Sequence, residues 1–403
     1  MWKKMAKRSP LKNKNLLLGV TGSVAAYKAV ELARRLKDEE ADVRVIMTSA
    51  SLNFITPLSL ELASGRKPLT SLLEEPLAHV NLAASADLFI VAPATANTIS
   101  RMALGVADDI ITACFLAYKG KTLVAPAMNP AMYTHPAFGR NLDFLKNALG
   151  AIEIAPEEGP LACGAAGIGR MAAVERIVEA ARDAFAGKDF QGRRVLVTAG
   201  PTREQIDPVR FISNRSSGRM GFALARAAAA RGADVTLISG PTAIEPPSGI
   251  GKFIRVETAA QMGKAVLEEV NDAGVLIMAA APADFTPEET FTEKISKSDT
   301  LDLKLKATHD ILLEVSRRRK RPFTVGFAAE TGSGTGRAEG KMMKKGLDMI
   351  VFNDVTRPGA GFDCRTNAVT IIERGGGRRE IPMMDKEDVA NEILDSVLQL
   401  LNA

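Results

Sequence analysis

The sequence predicts an α/β protein built from two doubly wound parallel-sheet domains in tandem, Rossmann-like or flavodoxin-like. Two segments open alike: "LLLGVTGSVAAYKAVELARRLKDEEADVRVIMTSA" from Leu16, and "RVLVTAGPTREQ" from Arg194, resumed by "GRMGFALARAAAARGADVTLISGP". Each reads as a buried strand, a glycine-containing loop, a helix rich in Ala and Arg, and an "ADV" that opens another strand, which is the signature of a βαβ unit. In addition, 403 residues are more than one ordinary core serves.

The first domain continues with strands in "ADLFIVAPAT", "KTLVAPAMNP" and "AIEIAP", a helix around Ile110 to Tyr118, a loop around Cys163, and the helix "AAVERIVEAARDAFA". The second adds strands in "VLIMAAAPADF", "FTVGFAAET", "DMIVFND" and "NAVTIIE", then a last helix from Asp385. The expected boundaries are a basic tail over 1–14, a first domain over 15–187, a linker over 188–192 in "GKDFQG", and a second domain over 193–403. The polar, lysine-rich stretch from Pro287 to Thr308 suits either a lid or a solvated hairpin.

Composition excludes several classes. With 46% hydrophobic and 25% charged residues the chain reads as globular. No apolar run reaches the ~20 residues that span a bilayer. Cys114, Cys163 and Cys364 are far apart and lack metal-ligand spacing, which suits a reducing cytoplasm. The net charge of +5 is dispersed and predicts no nucleic-acid binding. His79, His135 and His309 are the only imidazoles.

Ligands of open α/β sheets bind at the carboxyl ends of strands. "GVTGSVA" lacks the spacing of a dinucleotide fingerprint, yet Thr21, Gly22 and Ser23 can offer N–H groups and a hydroxyl to one phosphate. The small residues of "APATANT" admit a flat ring, so the pair suits flavin mononucleotide; it also serves as plain strand–loop–helix punctuation. His79 can move a proton near neutrality or be structural. Asn129, ahead of Pro130, can donate to a carboxylate while Met128 and Met132 pack an apolar ligand, or it can simply make a turn.

In this order, "GVTGSVAAYKAVEL", "HVNLAASADL", "APATAN", "PAMNPAMY" and "ACGAAGIGRM" resemble the flavin-dependent phosphopantothenoylcysteine decarboxylases, from Leu16 to Ala186. The resemblance implies FMN on Thr21, Gly22, Ser23, Thr48, Ala94, Thr95 and Asn97, with Met132 against the substrate. It makes His79 the catalytic base or decarboxylation partner, Asn129 the holder of the substrate carboxylate, and Cys163, on a closing flap, the proton donor in the final reduction. The implied reaction is an oxidative decarboxylation followed by re-reduction, with the redox chemistry supplied by the cofactor. Asn81, Ser85 and Tyr133 depart from the residues common in that family.

The second half resembles the phosphopantothenate–cysteine ligases from Arg193 onward, through "TAGPTREQIDPVRFISNRSSGRMG", "AAAPADF", "EKISKS", "GFAAET" and "KMMKKGLDMIVFND". The resemblance implies that Lys294 stabilises charge as 4'-phosphopantothenate attacks the α-phosphate of CTP. Asn214 and Arg210 would bind the acyl-cytidylate for attack by cysteine. Gly200, Thr202, Ser216, Ser217 and Gly218 would cradle phosphates; Ala279, Ala280, Asp284, Lys297, Phe327, Lys341 and Lys345 would contact nucleotide or substrate. Mg²⁺ is expected mainly through the CTP phosphates, with Asp284 as the candidate protein contact. Arg219 keeps the charge of the lysine common at its place.

Together the halves resemble the bifunctional, bacterial-type enzymes of coenzyme A biosynthesis. By family analogy these are homo-oligomers in which decarboxylase trimers and ligase dimers build a dodecamer. Two other classes remain as alternatives: a flavin-binding regulatory module, and an NAD(P)-binding domain in the second half.

Overall fold

A computed structural model of the protein describes residues 9–160, 166–247, 249–296, 301–330, 335–354, 356–357, 359–361 and 364–402. The chain divides between Ala186 and Gly187 into two compact units.

The first unit contains β1 (Asn15–Val20), β2 (Asp42–Met47), β3 (Leu88–Ala94), β4 (Thr122–Pro126) and β5 (Ile152–Glu153), followed by a hairpin of β6 (Glu157–Pro160) and β7 (Ala166–Arg170). The five-stranded sheet has the order β2-β1-β3-β4-β5 and all its pairs are parallel. This is the flavodoxin-like order, whose switch point lies between β1 and β3. Helices cover both faces, so β3 is buried at every position and reads as one continuous apolar run. Leu16, Leu18 and Val20 feed one core; Leu17 points to the other, with Phe89 and Val91. The helix Lys28–Asp38 buries Ala29, Leu32, Ala33 and Leu36, a stripe of helical period. Its outer face carries the Glu31–Arg35 pair at 3.2 Å.

The second unit contains β8 (Arg194–Ala199), β9 (Arg203–Gln205), β10 (Phe211–Ser213), β11 (Asp234–Ser239), β12 (Lys252–Arg255), β13 (Val275–Met278), β14 (Phe285–Pro287), β15 (Leu305–Ala307), β16 (Phe323–Glu330), β17 (Met349–Asp354), β18 (Thr366–Glu373) and β19 (Arg378–Asp385). Its main sheet runs β12-β11-β8-β13-β16-β17-β18-β19. The first six strands are parallel, in the 3-2-1-4-5-6 order of dinucleotide-binding folds, and β18 and β19 extend the sheet antiparallel. The switch point lies between β8 and β13. Two doubly wound α/β units, as expected, are therefore present. The stretch from Pro287 to Thr308 starts and ends in the antiparallel pair β14–β15.

Residues 187–192, read in the sequence as a linker, pack onto the second unit. Phe190 is fully buried and its N–H donates to the Arg231 carbonyl at 3.0 Å. The Arg231 guanidinium lies over its ring at 5.1 Å and forks onto Asp189 at 2.9 and 2.7 Å. Among the described residues no helix is long and apolar enough to cross a membrane.

Candidate active sites

In the first unit the expected cofactor residues gather at the carboxyl ends of β1, β2 and β3. Thr21 is fully buried; its Oγ1 donates to the Pro93 carbonyl at 2.7 Å and accepts the Thr95 N–H at 3.1 Å. Thr48 N–H donates to the Val20 carbonyl at 3.1 Å, so all three loops are tied together. Gly22 is required by close approach, since a Cβ there would fall 2.6 Å from the Ala50 Cβ. Ser23 caps a 3-10 turn, Val24–Tyr27, ahead of the main helix. Thr95 caps the helix Ala96–Leu104, which carries exposed Asn97 in its first turn.

Two buried polar atoms here lack a partner among the described residues: Thr48 Oγ1 and His79 Nδ1. Buried polar groups are nearly always hydrogen-bonded, so these two orphans are candidate ligand contacts; Tyr118 Oη, in the same unit, is a third buried orphan. His79 lies in the first turn of the helix Ala78–Ser85. That helix ends shortly before β3, so its first turn faces the carboxyl edge. Leu77, at its entrance, takes φ 57°, a conformation that costs a branched residue about 1–2 kcal/mol. The other two imidazoles are differently engaged, although His135 follows the Asn129 turn and its backbone N–H donates to the Met132 carbonyl at 3.3 Å. His135 Nδ1 accepts the Ala137 N–H at 3.1 Å as a helix cap, and His309 is exposed.

Asn129 caps the short helix Pro130–Tyr133, its Oδ1 accepting the Ala131 N–H at 2.9 Å. The hairpin that carries the Cys163 loop is seated on this turn. Met128 N–H donates to the Gly169 carbonyl at 3.0 Å, and a Cβ on Gly167 would fall 3.1 Å from Pro130 Cγ. Cys163 itself lies outside the described residues. Met128 is half-buried beside Asn129 and Met132 is exposed. Four residues to which the sequence reading gives no role support this region: Tyr133, Glu153, Lys146 and Lys28. Tyr133 Oη donates to Glu153 at 2.7 Å, and Lys146 pairs with the same carboxylate at 2.7 Å. Burial, with Glu153 beside it, pushes the Tyr133 hydroxyl above the ordinary range and keeps it a donor. Lys28 Nζ donates to the Met171 carbonyl at 3.0 Å; burial and nearby Arg170 lower its pKa, against the pull of Glu157. Cys114 is buried, and burial pushes its thiol up to about 12, so it stays protonated.

In the second unit, Gly200 (φ 74°) and Gly218 (φ 77°) adopt left-handed backbone, and a Cβ on either would fall 2.8 Å from Thr242 Cγ2. The loop after β8, the start of the helix Arg219–Ala230 and the loop after β11 thus converge. Ser216 Oγ accepts the Gly218 N–H at 3.3 Å. Buried Thr202 accepts the Ala283 N–H at 2.9 Å, and Ala281 N–H donates to the Gly200 carbonyl at 2.9 Å, so Ala279, Ala280 and Ala281 line the other side of the switch point. Asn214 Nδ2 donates to the Pro282 carbonyl at 2.9 Å. Arg210 bonds Asp207 and the Ile295 carbonyl, next to exposed Lys294.

Lys341 Nζ reaches the Phe327 carbonyl at 3.4 Å. Burial and the neighbouring Lys345 lower its pKa, opposed by Asp284, Glu330 and Asp310. Lys345 is committed to Asp310 at 2.9 Å, a carboxylate that also caps the helix Ile311–Ser316. Lys297 lies outside the described residues. Among the described residues no group of three or more His, Cys, Asp or Glu could hold a metal ion.

Fold and loop geometry define a tandem α/β protein, a flavodoxin-order unit followed by a second doubly wound unit. Comparison with known proteins names the family. Residues 4–185 match the model for flavoproteins, and residues 190–401 match the DNA/pantothenate metabolism flavoprotein C-terminal domain. The coenzyme A biosynthesis bifunctional protein CoaBC of Bacillus subtilis is 46% identical over 97% of this chain and 98% of its own. That of Escherichia coli K12 is 42% identical over 96% and 97%. A solved C-terminal domain of a CoaBC protein is 38% identical, covering 54% of this chain and 99% of its own with a TM-score of 0.47. The chain belongs to the CoaBC family of bifunctional coenzyme A biosynthesis proteins. It is accordingly a two-activity enzyme, a phosphopantothenoylcysteine decarboxylase and a phosphopantothenate–cysteine ligase.

Proposed function

We propose that the second unit joins 4'-phosphopantothenate to cysteine through an acyl-cytidylate made from CTP, and that the first converts the product to 4'-phosphopantetheine with FMN, in the cytoplasm. The observation that carries the decarboxylase half is the pair of orphaned buried atoms, Thr48 Oγ1 and His79 Nδ1, on the carboxyl side of a flavodoxin-order sheet. Thr21, Gly22, Ser23, Thr48, Ala94, Thr95 and Asn97 would hold FMN, with hydroxyls and helix-start N–H groups towards its phosphate. When bound, the flavin supplies reversible hydride transfer, which turns the cysteinyl carbon–sulfur unit into an electron sink. His79 would take a proton from substrate, Asn129 would orient its carboxylate, Met132 would cover it, and Cys163 would return a proton.

In the ligase half, a carboxylate is a poor acyl donor and its mixed anhydride with CMP a good one. Gly200, Thr202, Ser216, Ser217 and Gly218 would receive the phosphates of CTP, and Ala279, Ala280, Phe327 and Lys341 would line the nucleotide. Lys294 and Lys297 would offset charge on the phosphates, with Mg²⁺ bound to those phosphates near Asp284. Arg210 and Asn214 would hold the acyl-cytidylate. Lys345 would act through its pair with Asp310.

The same reading makes the enzyme a homo-oligomer: Leu62, Leu73 and Leu77, on the stretch leading to His79, are 76%, 92% and 65% exposed, an apolar surface a second copy would cover. The test is mass spectrometry of products from phosphopantothenate, cysteine, CTP and Mg²⁺. The expected products are phosphopantetheine, CO₂, CMP and pyrophosphate. Phosphopantothenoylcysteine as the end product, with flavin bound, would overturn the decarboxylase assignment.

A further inference from the structure

Asp207 lies between β9 and β10, and its side chain is wholly shielded from solvent. Oδ1 accepts the N–H groups of Val209 and Arg210, both at 2.7 Å. Oδ2 accepts Arg210 Nη1 at 2.9 Å and the Ile295 N–H at 3.2 Å. Arg210 Nη1 also donates to the Ile295 carbonyl at 3.1 Å. A buried carboxylate is costly unless its lone pairs are filled, and these four donors fill them. Burial alone would raise its pKa, yet the three N–H groups and the Arg210 cation hold the carboxyl below its usual range.

An aspartate that only makes a turn needs the two local N–H groups. The Oδ2 contacts do something else: they tie a segment 88 residues away whose preceding residue is Lys294. Phe291 N–H donates to the Ile206 carbonyl at 2.9 Å, so the whole approach to Lys294 is laid along the Asp207 turn. One oxygen shapes the turn, and the other holds Arg210 and the Lys294 segment to it. We propose that Asp207 is a positioning residue for the ligase reaction, setting Lys294 and Arg210 in register for attack on the α-phosphate and transfer of the acyl group. This rests on the assignment of Lys294 and Arg210 above.

Asp207→Asn separates the two oxygens. The amide keeps an acceptor for the local turn but presents an NH₂ to Arg210 and to the Ile295 N–H, so the remote contacts open. The expected result is a fall in ligase kcat of about 100-fold, the scale of an ångström-size misplacement, with CTP binding by titration changed less than about threefold. In a Lys294→Gln background, Asp207→Asn should then cost less than about threefold more, because residues acting as a unit are not additive. Loss of CTP binding would mark a misfolded variant, and Asp207→Ser, which keeps an oxygen for the local turn, would be read by the same criteria. Full ligase activity in the Asp207 variant, or losses that multiply in the double variant, overturn the inference alone. A fully active Lys294→Gln enzyme overturns the assignment beneath it, and the inference with it.

Discussion

Gly169 lies against Met128 so closely that a Cβ on the glycine would fall 2.2 Å from the Met128 carbonyl oxygen. Its φ of 152° is also one that other residues rarely adopt. The hairpin bearing Cys163 therefore rests backbone to backbone on the Asn129 turn. Gly169→Ala should lift the hairpin off that turn. Decarboxylation is expected to fall at least about tenfold while ligation continues, so phosphopantothenoylcysteine should accumulate in a coupled assay. An unchanged decarboxylation rate would show that the seat is dispensable.

Thr48 offers a cleaner test of cofactor binding. Its hydroxyl is buried without a partner among the described residues, so Thr48→Val removes an unsatisfied group at nearly constant shape. The apo protein should be as stable as before, or more stable by about 1 kcal/mol. Flavin affinity, by fluorescence titration, should nevertheless drop. Unchanged affinity would place the flavin elsewhere.

For His79, Asn is the informative replacement, since it retains polarity without titrating near neutrality. A general acid–base role predicts a loss of about 100-fold or more in decarboxylation, with flavin still bound and ligation intact. A loss of flavin together with activity would point to a binding role instead.

Tyr133→Phe deletes one donor to Glu153, whose side chain is only 9% exposed, and leaves it to Lys146. Chemical denaturation should register a loss of about 1 kcal/mol in the first unit. The KM of decarboxylation should rise more than its kcat falls, because the turn bearing Asn129 is loosened rather than removed. Restoration of wild-type KM by adding Glu153→Gln to the Tyr133→Phe variant would contradict this account.

Asp189 is held below the usual carboxylate range by its hydrogen bonds to Arg231, against a smaller push from burial. With its folded pKa depressed, its contribution is present above the unfolded value of about 3.9 and is lost as pH falls through the folded one. The stability gap between wild type and Asp189→Asn should therefore be open at pH 7 and close as pH falls from the unfolded value through the lower folded one. It should be modest, the carboxylate being 46% exposed. A gap independent of pH would rule out the ion pair as its source.

Much of this architecture is legible in the chain because parallel strands covered on both faces leave unbroken apolar runs, as in β1, β3 and β13. Edge strands leave no such mark. β12, "KFIR", and β19, "RREIPMMD" with Pro382 inside it, escape a sequence reading because each is partly exposed and the apolar pattern is interrupted. Candidate site residues are visible where they sit in loops directly after strands, as with Thr21, Thr95 and Gly200. Those that act by bracing are not. Asp207 reads as an ordinary Asp-Pro turn until Ile295 is brought beside it, Glu153 as a strand-end charge until Tyr133 reaches it, and Lys28 as a surface lysine until Met171, 143 residues away, supplies a carbonyl.

The burial of Phe190 has a bearing on how this polypeptide could be divided into two working pieces. A cut at Ala186 would give the C-terminal fragment its own aromatic plug and the Asp189 clamp on Arg231. A cut only a few residues later, after Gly192, would strip both away and leave the Arg231 guanidinium with Asp395 and the Asn391 carbonyl alone. The fragments would look alike on paper, but the shorter one should be the poorer folder. Any gene fission that separated the two activities would have had to respect that difference of six residues.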